Sequence, residues 1–209
     1  MIDFSLYLIT DRHQTAGRPL LEVVEAALSG GVRAVQLREK DLAVSELYEL
    51  AWDLRALTAR YDARLLINDR IDVALAVEAD GVHLGKNSLP VTAARRIAPD
   101  LLIGYSSHGV GEAAAALAKG ADFVTFGPVF PTPSKAAYGD PPGLVELSRL
   151  CSAVSGPVFA LGGVKLENLK QVMASGCRRA AVISAILSAT DPAEAAEELR
   201  LRLRTVADE

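Results

Sequence analysis

Eight short apolar runs alternate with stretches of helical spacing along this 209-residue chain. The runs are Leu6–Ile9, Ala34–Leu37, Leu65–Ile67, Gly81–Leu84, Leu102–Tyr105, Phe123–Phe126, Val158–Leu161 and Arg179–Ile183. Most are continuous and β-branched, as strands buried on both faces should be. Between them, Leu20–Ser29, Val44–Ala59, Asp72–Val77, Pro90–Ile97, Glu112–Lys119, Leu144–Val154, Leu166–Ser175 and Pro192–Val206 read as helices, with Asp72–Val77 the shortest. A strand–helix unit of about 25 residues, repeated eight times, demands a parallel sheet. Eight units predict an α/β fold, a (β/α)8 TIM barrel forming one domain over residues 1–209. A doubly wound open sheet is the alternative.

Local signals support the helix ends. Ser88-Leu89-Pro90 puts a capping serine shortly before a proline, and Asp191-Pro192 sets proline at a first helical position. Glycine follows the helices ending at Ser29, Lys119 and Ser175. A weak repeat recurs in SGGVRAVQLR, EADGVHLG, KGADFVTFG and SGCRRAAVIS.

Net charge is −4, from 26 acidic and 22 basic side chains, which argues against a broad nucleic-acid surface but not against a small anion. Two cysteines, Cys151 and Cys177, make no disulfide framework and read as packing residues of a reduced, cytoplasmic chain. No apolar stretch nears the roughly 20 residues that span a bilayer, and Met1-Ile2-Asp3-Phe4 carries no basic leader. Membrane association is therefore not expected; a homodimer is compatible with the pattern.

The polar residues gather where the strand-like runs end. In parallel α/β barrels the carboxyl ends of the strands carry the functional groups. Gln36-Leu37-Arg38-Glu39-Lys40 follows the second run, with Gln36 and Arg38 on one side of a strand. Two cations and an amide there suit a phosphate or pyrophosphate. The alternative is a surface network in which Arg38 and Lys40 pair with Glu39, Asp41 or Asp69. After the third run, Asn68-Asp69 offers a carboxylate that can hold magnesium or merely cap a turn. Lys86 adds a cation after the fourth run.

Seventeen residues separate Phe126 from Leu144, and they begin Gly127-Pro128-Val129-Phe130-Pro131-Thr132-Pro133-Ser134-Lys135. A loop this long reads as a lid or binding loop, with Thr132, Ser134 and Lys135 suited to phosphate oxygens. A Pro-rich surface turn is the plainer reading. Gly162-Gly163 after the seventh run and Ser184 after the eighth fall where such barrels bind phosphate, although a glycine pair also serves a tight turn. His108, in Ser106-Ser107-His108, can transfer protons or sit as an ordinary loop histidine. His83, inside a run, reads as barrel filling.

Taken in order, YLITDR (7–12), QLREK (36–40), Asn68-Asp69, DGVHLG (80–85), GYSSH (104–108), GPVFPTPSK (127–135), GGV (162–164) and Ile183-Ser184 resemble the thiamine phosphate synthase / thiazole tautomerase family over nearly the whole chain. The resemblance implies a (β/α)8 barrel acting on small phosphorylated heterocycles. A synthase joins hydroxymethylpyrimidine pyrophosphate to thiazole phosphate and releases pyrophosphate. On that pattern Gln36, Arg38, Lys40 and Asn68 match the pyrimidine and pyrophosphate contacts, Asp69 a magnesium ligand, and Ser106 a serine near the pyrimidine amine. Thr132, Ser134 and Lys135 match the loop that touches both substrates, with Ser134 where threonine is more usual. Gly163, Ile183 and Ser184 match the thiazole-phosphate pocket.

One segment departs from the pattern. The family's Gly-Gln-Glu-Asp, whose Asp is a second magnesium ligand, is here Gly85-Lys86-Asn87-Ser88. Weaker magnesium binding is expected, with Lys86 facing the pyrophosphate instead. The departure keeps open a metal-independent tautomerase that aromatises a thiazole carboxylate phosphate with His108 as acid/base. A catalytically silent binding protein on the same barrel is the reading from another class.

Overall fold

The structure, a computed structural model, describes residues 2–132 and 141–204. Eight parallel strands close into a barrel in sequence order: β1 (Leu6–Ile9), β2 (Ala34–Leu37), β3 (Arg64–Asn68), β4 (Gly81–Leu84), β5 (Leu102–Ser107), β6 (Phe123–Phe126), β7 (Val158–Leu161) and β8 (Ala180–Val182). Closure comes from β8 pairing with β1, Leu6 beside Ala180 and Leu8 beside Val182. The open-sheet alternative is thereby excluded.

The helices outside are α1 (Leu20–Ser29), α2 (Val44–Arg60), α3 (Ile71–Ala76), α4 (Val91–Ile97), α5 (Val110–Ala118), α6 (Gly143–Ala153), α7 (Leu166–Ala174), α8 (Ser184–Leu187) and α9 (Pro192–Arg204). Their apolar stripes and the outward faces of the strands form one continuous aliphatic layer. None is long and apolar enough to cross a membrane.

Several expected boundaries shift. β5 runs on through Ser107, so Ser106 is a strand residue and not part of a loop. β8 stops at Val182, which leaves Arg179 and Ile183 outside it. A short 3-10 turn (Arg12–Gln14) and α8 had no clear apolar period to announce them. Pro192 opens α9 as expected, and Asp191 before it accepts from the amides of Ala193 and Glu194. Ser88 does not cap α4, whose first turn has no side-chain cap; its hydroxyl is used elsewhere. Past α1, the left-handed residue is Gly31 rather than Gly30.

The barrel interior is a separate core. Tyr7, Leu66, Phe123, Phe159 and Ala181 fill it at mid-height with Phe4 below. The rings of Phe123 and Phe159 lie 5.2 Å apart, and Phe4 meets Phe123 edge-on at 5.8 Å. Such tilted and edge-to-face pairs are the favoured aromatic geometries. This plug makes the barrel a packed solid with one polar mouth above it. Outside it, the Cys177 thiol lies within hydrogen-bond reach of the carbonyls of Val158 and Arg179, and the half-buried Cys151 thiol of α6 lies beside it, with no disulfide between them.

Candidate active site

Strand alternation sends Gln36, Asn68, His83, Ser106 and Thr125 inward above the aromatic plug, while Arg38 continues the line of Gln36 at the rim. Gln36, His83 and Thr125 are almost wholly buried. Ser106 is half-buried, at the boundary with the mouth.

The acidic neighbours of the QLREK segment are engaged away from its cations. Both carboxylate oxygens of Glu39 accept from the Arg12 amide, at 3.2 and 3.1 Å, and one also accepts from the Arg12 guanidinium. Asp41 takes two hydrogen bonds of 2.7 Å from the same guanidinium, and the His13 ring lies 3.0 Å away. Arg12, and then His13, hold the Asp41 carboxyl far below the usual carboxylate range. A depressed folded value means this pairing is complete above the ordinary carboxylate range and is lost only as pH falls through that low value. The clamp is therefore intact at neutral pH. Arg38 and Lys40 enter no ion pair among the described residues, so the surface-network alternative fails for both. The Arg38 amide donates to the Thr10 hydroxyl at 2.9 Å, which sets the backbone at the rim.

Asp69 sits next along the rim, with φ +62°. Its amide bonds the carbonyl of His83 at 3.0 Å. A non-glycine residue in this region is uncommon and marks a local constraint. The carboxylate caps nothing, since α3 has no side-chain cap. Instead Asn68 Nδ2 donates to one oxygen at 2.9 Å and the Ser88 hydroxyl donates to the other. Ser88 in turn accepts from the Gly85 amide at 2.7 Å. The serine that replaces the family's carboxylate thus lies directly against Asp69. Lys86 projects from the same turn and is exposed. Among the described residues no three carboxylates, histidines or cysteines gather at one point.

Opposite, the loop after β6 is stitched onto the end of β7. Val129 and Phe130 donate to the carbonyls of Leu161 and Gly162 at 2.9 and 3.0 Å. Gly162 and Gly163 have φ +91° and +67°. A Cβ would meet Pro128 Cα at 2.6 Å from the first, and Phe130 Cβ at 2.7 Å from the second. Both positions need glycine for conformation and for space. Asn168 Nδ2 donates to the Gly163 carbonyl at 2.8 Å and holds the turn. Ile183 precedes α8 and Ser184 opens it, exposed. Thr132 is half-buried. Ser134 and Lys135 lie outside the described residues.

His108 stands apart from the interior. Its side chain is 60% exposed, its amide donates to Glu112, and its ring lies 3.5 Å from the same carboxylate. His83 is the histidine inside. Burial pushes its imidazole down to about 3, and the nearby Arg38 charge adds to this. Sequence reading missed the polar partners Tyr7, Thr10 and Thr125. A hydroxyl inside an apolar run, as in LYLIT and FVTF, was the available signal.

A closed parallel barrel with cations, a carboxylate and a glycine turn gathered at the carboxyl ends of its strands has the layout of a (β/α)8 enzyme. The family model described as thiamine monophosphate synthase matches residues 6–186. A protein of Geobacter sulfurreducens is 59% identical over 199 residues, covering 95% of this chain and 93% of its own. The thiamine-phosphate synthase of Pyrococcus abyssi is 46% identical, with 93% and 92% covered. The solved thiamine phosphate pyrophosphorylase of Pyrococcus furiosus superposes with a TM-score of 0.87 at 43% identity, covering 95% of each chain. The chain belongs to the thiamine monophosphate synthase family.

Proposed function

We propose that the chain, acting as one domain, joins a hydroxymethylpyrimidine pyrophosphate to a thiazole phosphate and releases pyrophosphate. The observation that carries this reading is the pair Arg38 and Lys40, left unneutralised because Glu39 and Asp41 are engaged by Arg12. Cations held free at the mouth of a barrel suit a polyanion. As pyrophosphate leaves, negative charge grows on its oxygens and positive charge on the pyrimidine methylene. Arg38 and Lys40, with Lys86 and Lys135, stabilise the leaving group, and this kind of preorganised charge is usually the largest catalytic term. Gln36, Asn68 and Ser106 orient the pyrimidine. The thiazole phosphate takes the turn at Gly162 and Gly163 with Ile183 and Ser184, and Thr132 and Ser134 contribute hydroxyls to both substrates. The thiazole nitrogen is already a nucleophile, so no strong base is required and His108 takes no proton-transfer step. The named relatives are synthases, which favours this reading over the tautomerase alternative.

Magnesium fits the same rim in a limited way. The ion keeps several waters and commonly binds through one or two carboxylates plus substrate phosphates. Asp69 supplies one carboxylate and Ser88 a neutral oxygen beside it. Bound there, the ion would neutralise pyrophosphate charge; the protein's own part is to hold Asp69 in place through Asn68 and Ser88. A cytoplasmic setting is supported by two free cysteines. A homodimer is compatible with this reading and not required, because every residue invoked comes from one chain.

The test is an assay of thiamine phosphate formation from the two substrates over a magnesium series, with and without EDTA. Product is expected, and its absence at high enzyme and high magnesium removes the proposal. In the same series, Ser88→Asp is expected to lower the magnesium needed for half-maximal rate by about tenfold, as a second hard anionic ligand should. An unchanged requirement would separate Ser88 from the metal position.

A further inference from the structure

Beneath the basic rim a line of polar side chains crosses the barrel. Gln36 Nε2 donates to Tyr7 Oη at 3.0 Å, and Tyr7 Oη lies 3.4 Å from His83 Nδ1. His83 Nε2 lies 3.0 Å from Ser106 Oγ, with Thr125 Oγ1 further off at 3.5 Å. The imidazole packs against the Tyr7 and Phe123 rings at 5.8 and 5.7 Å, has no carboxylate partner among the described residues, and is 2% exposed. Gly104 makes this placement feasible. A Cβ there would come within 2.4 Å of His83 Nδ1 and 2.5 Å of the Phe123 ring.

One polar atom of this network is buried without a partner: Gln36 Oε1, on a residue 1% exposed. An unmatched buried acceptor is costly and points to a group the protein does not itself supply. The amide nitrogen is spent on Tyr7, so the carbonyl end of the same amide is the end left over. Tyr7 oxygen, having accepted from Gln36, gives its own proton to His83 Nδ1. A neutral imidazole has one donor and one acceptor nitrogen, so the remaining proton is on Nε2 and goes to Ser106 Oγ. The Ser106 proton is then left for the mouth.

We propose that His83 is a positioning residue, held by Tyr7 as its Nε2–H tautomer, that turns the Ser106 hydroxyl outward as a donor. The site thereby presents Ser106 as a donor at the boundary of the mouth, with the Gln36 amide buried beneath it. A flat heteroaromatic carrying a nitrogen acceptor offers the complementary group. The ligand named rests on the function proposed above; the tautomer does not.

Two measurements test it. In 15N-labelled enzyme without ligand at neutral pH, His83, assigned by its loss in His83→Gln, is expected to show a protonated Nε2 and a bare Nδ1. A proton on Nδ1, or on both nitrogens, overturns the proposal. In steady-state kinetics, His83→Leu is expected to raise KM for the pyrimidine substrate about tenfold, the scale of one lost hydrogen bond and the group it strands. KM for the thiazole phosphate should stay within about twofold, a change well below one hydrogen bond. His83→Gln, which keeps an N–H near the Nε2 position, should recover most of the loss. Ser106→Ala should match His83→Leu, and the double variant should be no worse than either. Equal damage to both KM values, or no recovery with glutamine, would assign His83 to packing alone. An enzyme that made no thiamine phosphate would defeat the functional proposal and leave the spectroscopic result to decide the tautomer.

Discussion

Arg38→Ala is expected to lower kcat/KM for the pyrophosphorylated substrate by about 100- to 1,000-fold, the range seen when one preorganised charge or donor is removed from a transition state. The guanidinium makes no ion pair among the described residues, so its removal breaks no protein contact of that kind. A unit charge about 4 Å from a phosphate oxygen in a site of intermediate dielectric interacts by about 4 kcal/mol. That is enough to account for the whole loss. The thermal midpoint should hardly move, since relief of repulsion with Lys40 offsets lost packing of the side-chain stem. Arg38→Lys should restore only part of the rate, because an ammonium cannot grip two oxygens in a fork. Steady-state kinetics with a melting curve on the same sample check this, and full activity in the alanine variant would remove Arg38 from the leaving-group site.

Phe123→Ala should do the reverse. Phe123 is fully buried in the interior plug and meets Phe4, Tyr7 and Phe159 edge-to-face at 5.8, 5.5 and 5.2 Å. Truncating a buried phenylalanine costs about 3–5 kcal/mol. For a chain of this length each kcal/mol moves the midpoint by about 2–4 °C, so a fall of about 10 °C is expected. The rim cations lie a layer above, so kcat of the still-folded fraction should fall far less than stability, while KM for the pyrimidine substrate should rise because His83 packs on the Phe123 ring at 5.7 Å. Calorimetry checks the first part and low-temperature assay the second. A midpoint within about 2 °C of the parent would mean that the plug relaxes to fill the hole.

The two variants divide the barrel into an apolar lower interior and a polar upper rim, and that division was partly legible in the chain. The runs at 6–9, 34–37, 81–84, 123–126 and 158–161 coincide with strands, because a strand buried on both faces needs an unbroken apolar segment. Boundaries slipped where polar residues continue a strand, as at Ser106 and Ser107. Their side chains find partners only on the neighbouring strands: Ser106 at His83 of β4, Ser107 at the Thr125 carbonyl of β6. The capping role expected of Ser88 failed for a similar reason, since Asp69, 19 residues earlier, competes for its hydroxyl.

The chain by itself determined the order of strands and helices, the glycine turn at 162–163 and the clustering of polar residues after the strands. These depend on neighbours within a few positions, where periodicity and backbone preference act directly. Which charges remain free was decided only by closure of the barrel. Arg12 reaches Glu39 and Asp41 across 27 and 29 residues, and Tyr7 meets His83 across 76. Such pairings depend on the register between strands and on the twist that brings their ends together, and no local pattern records either.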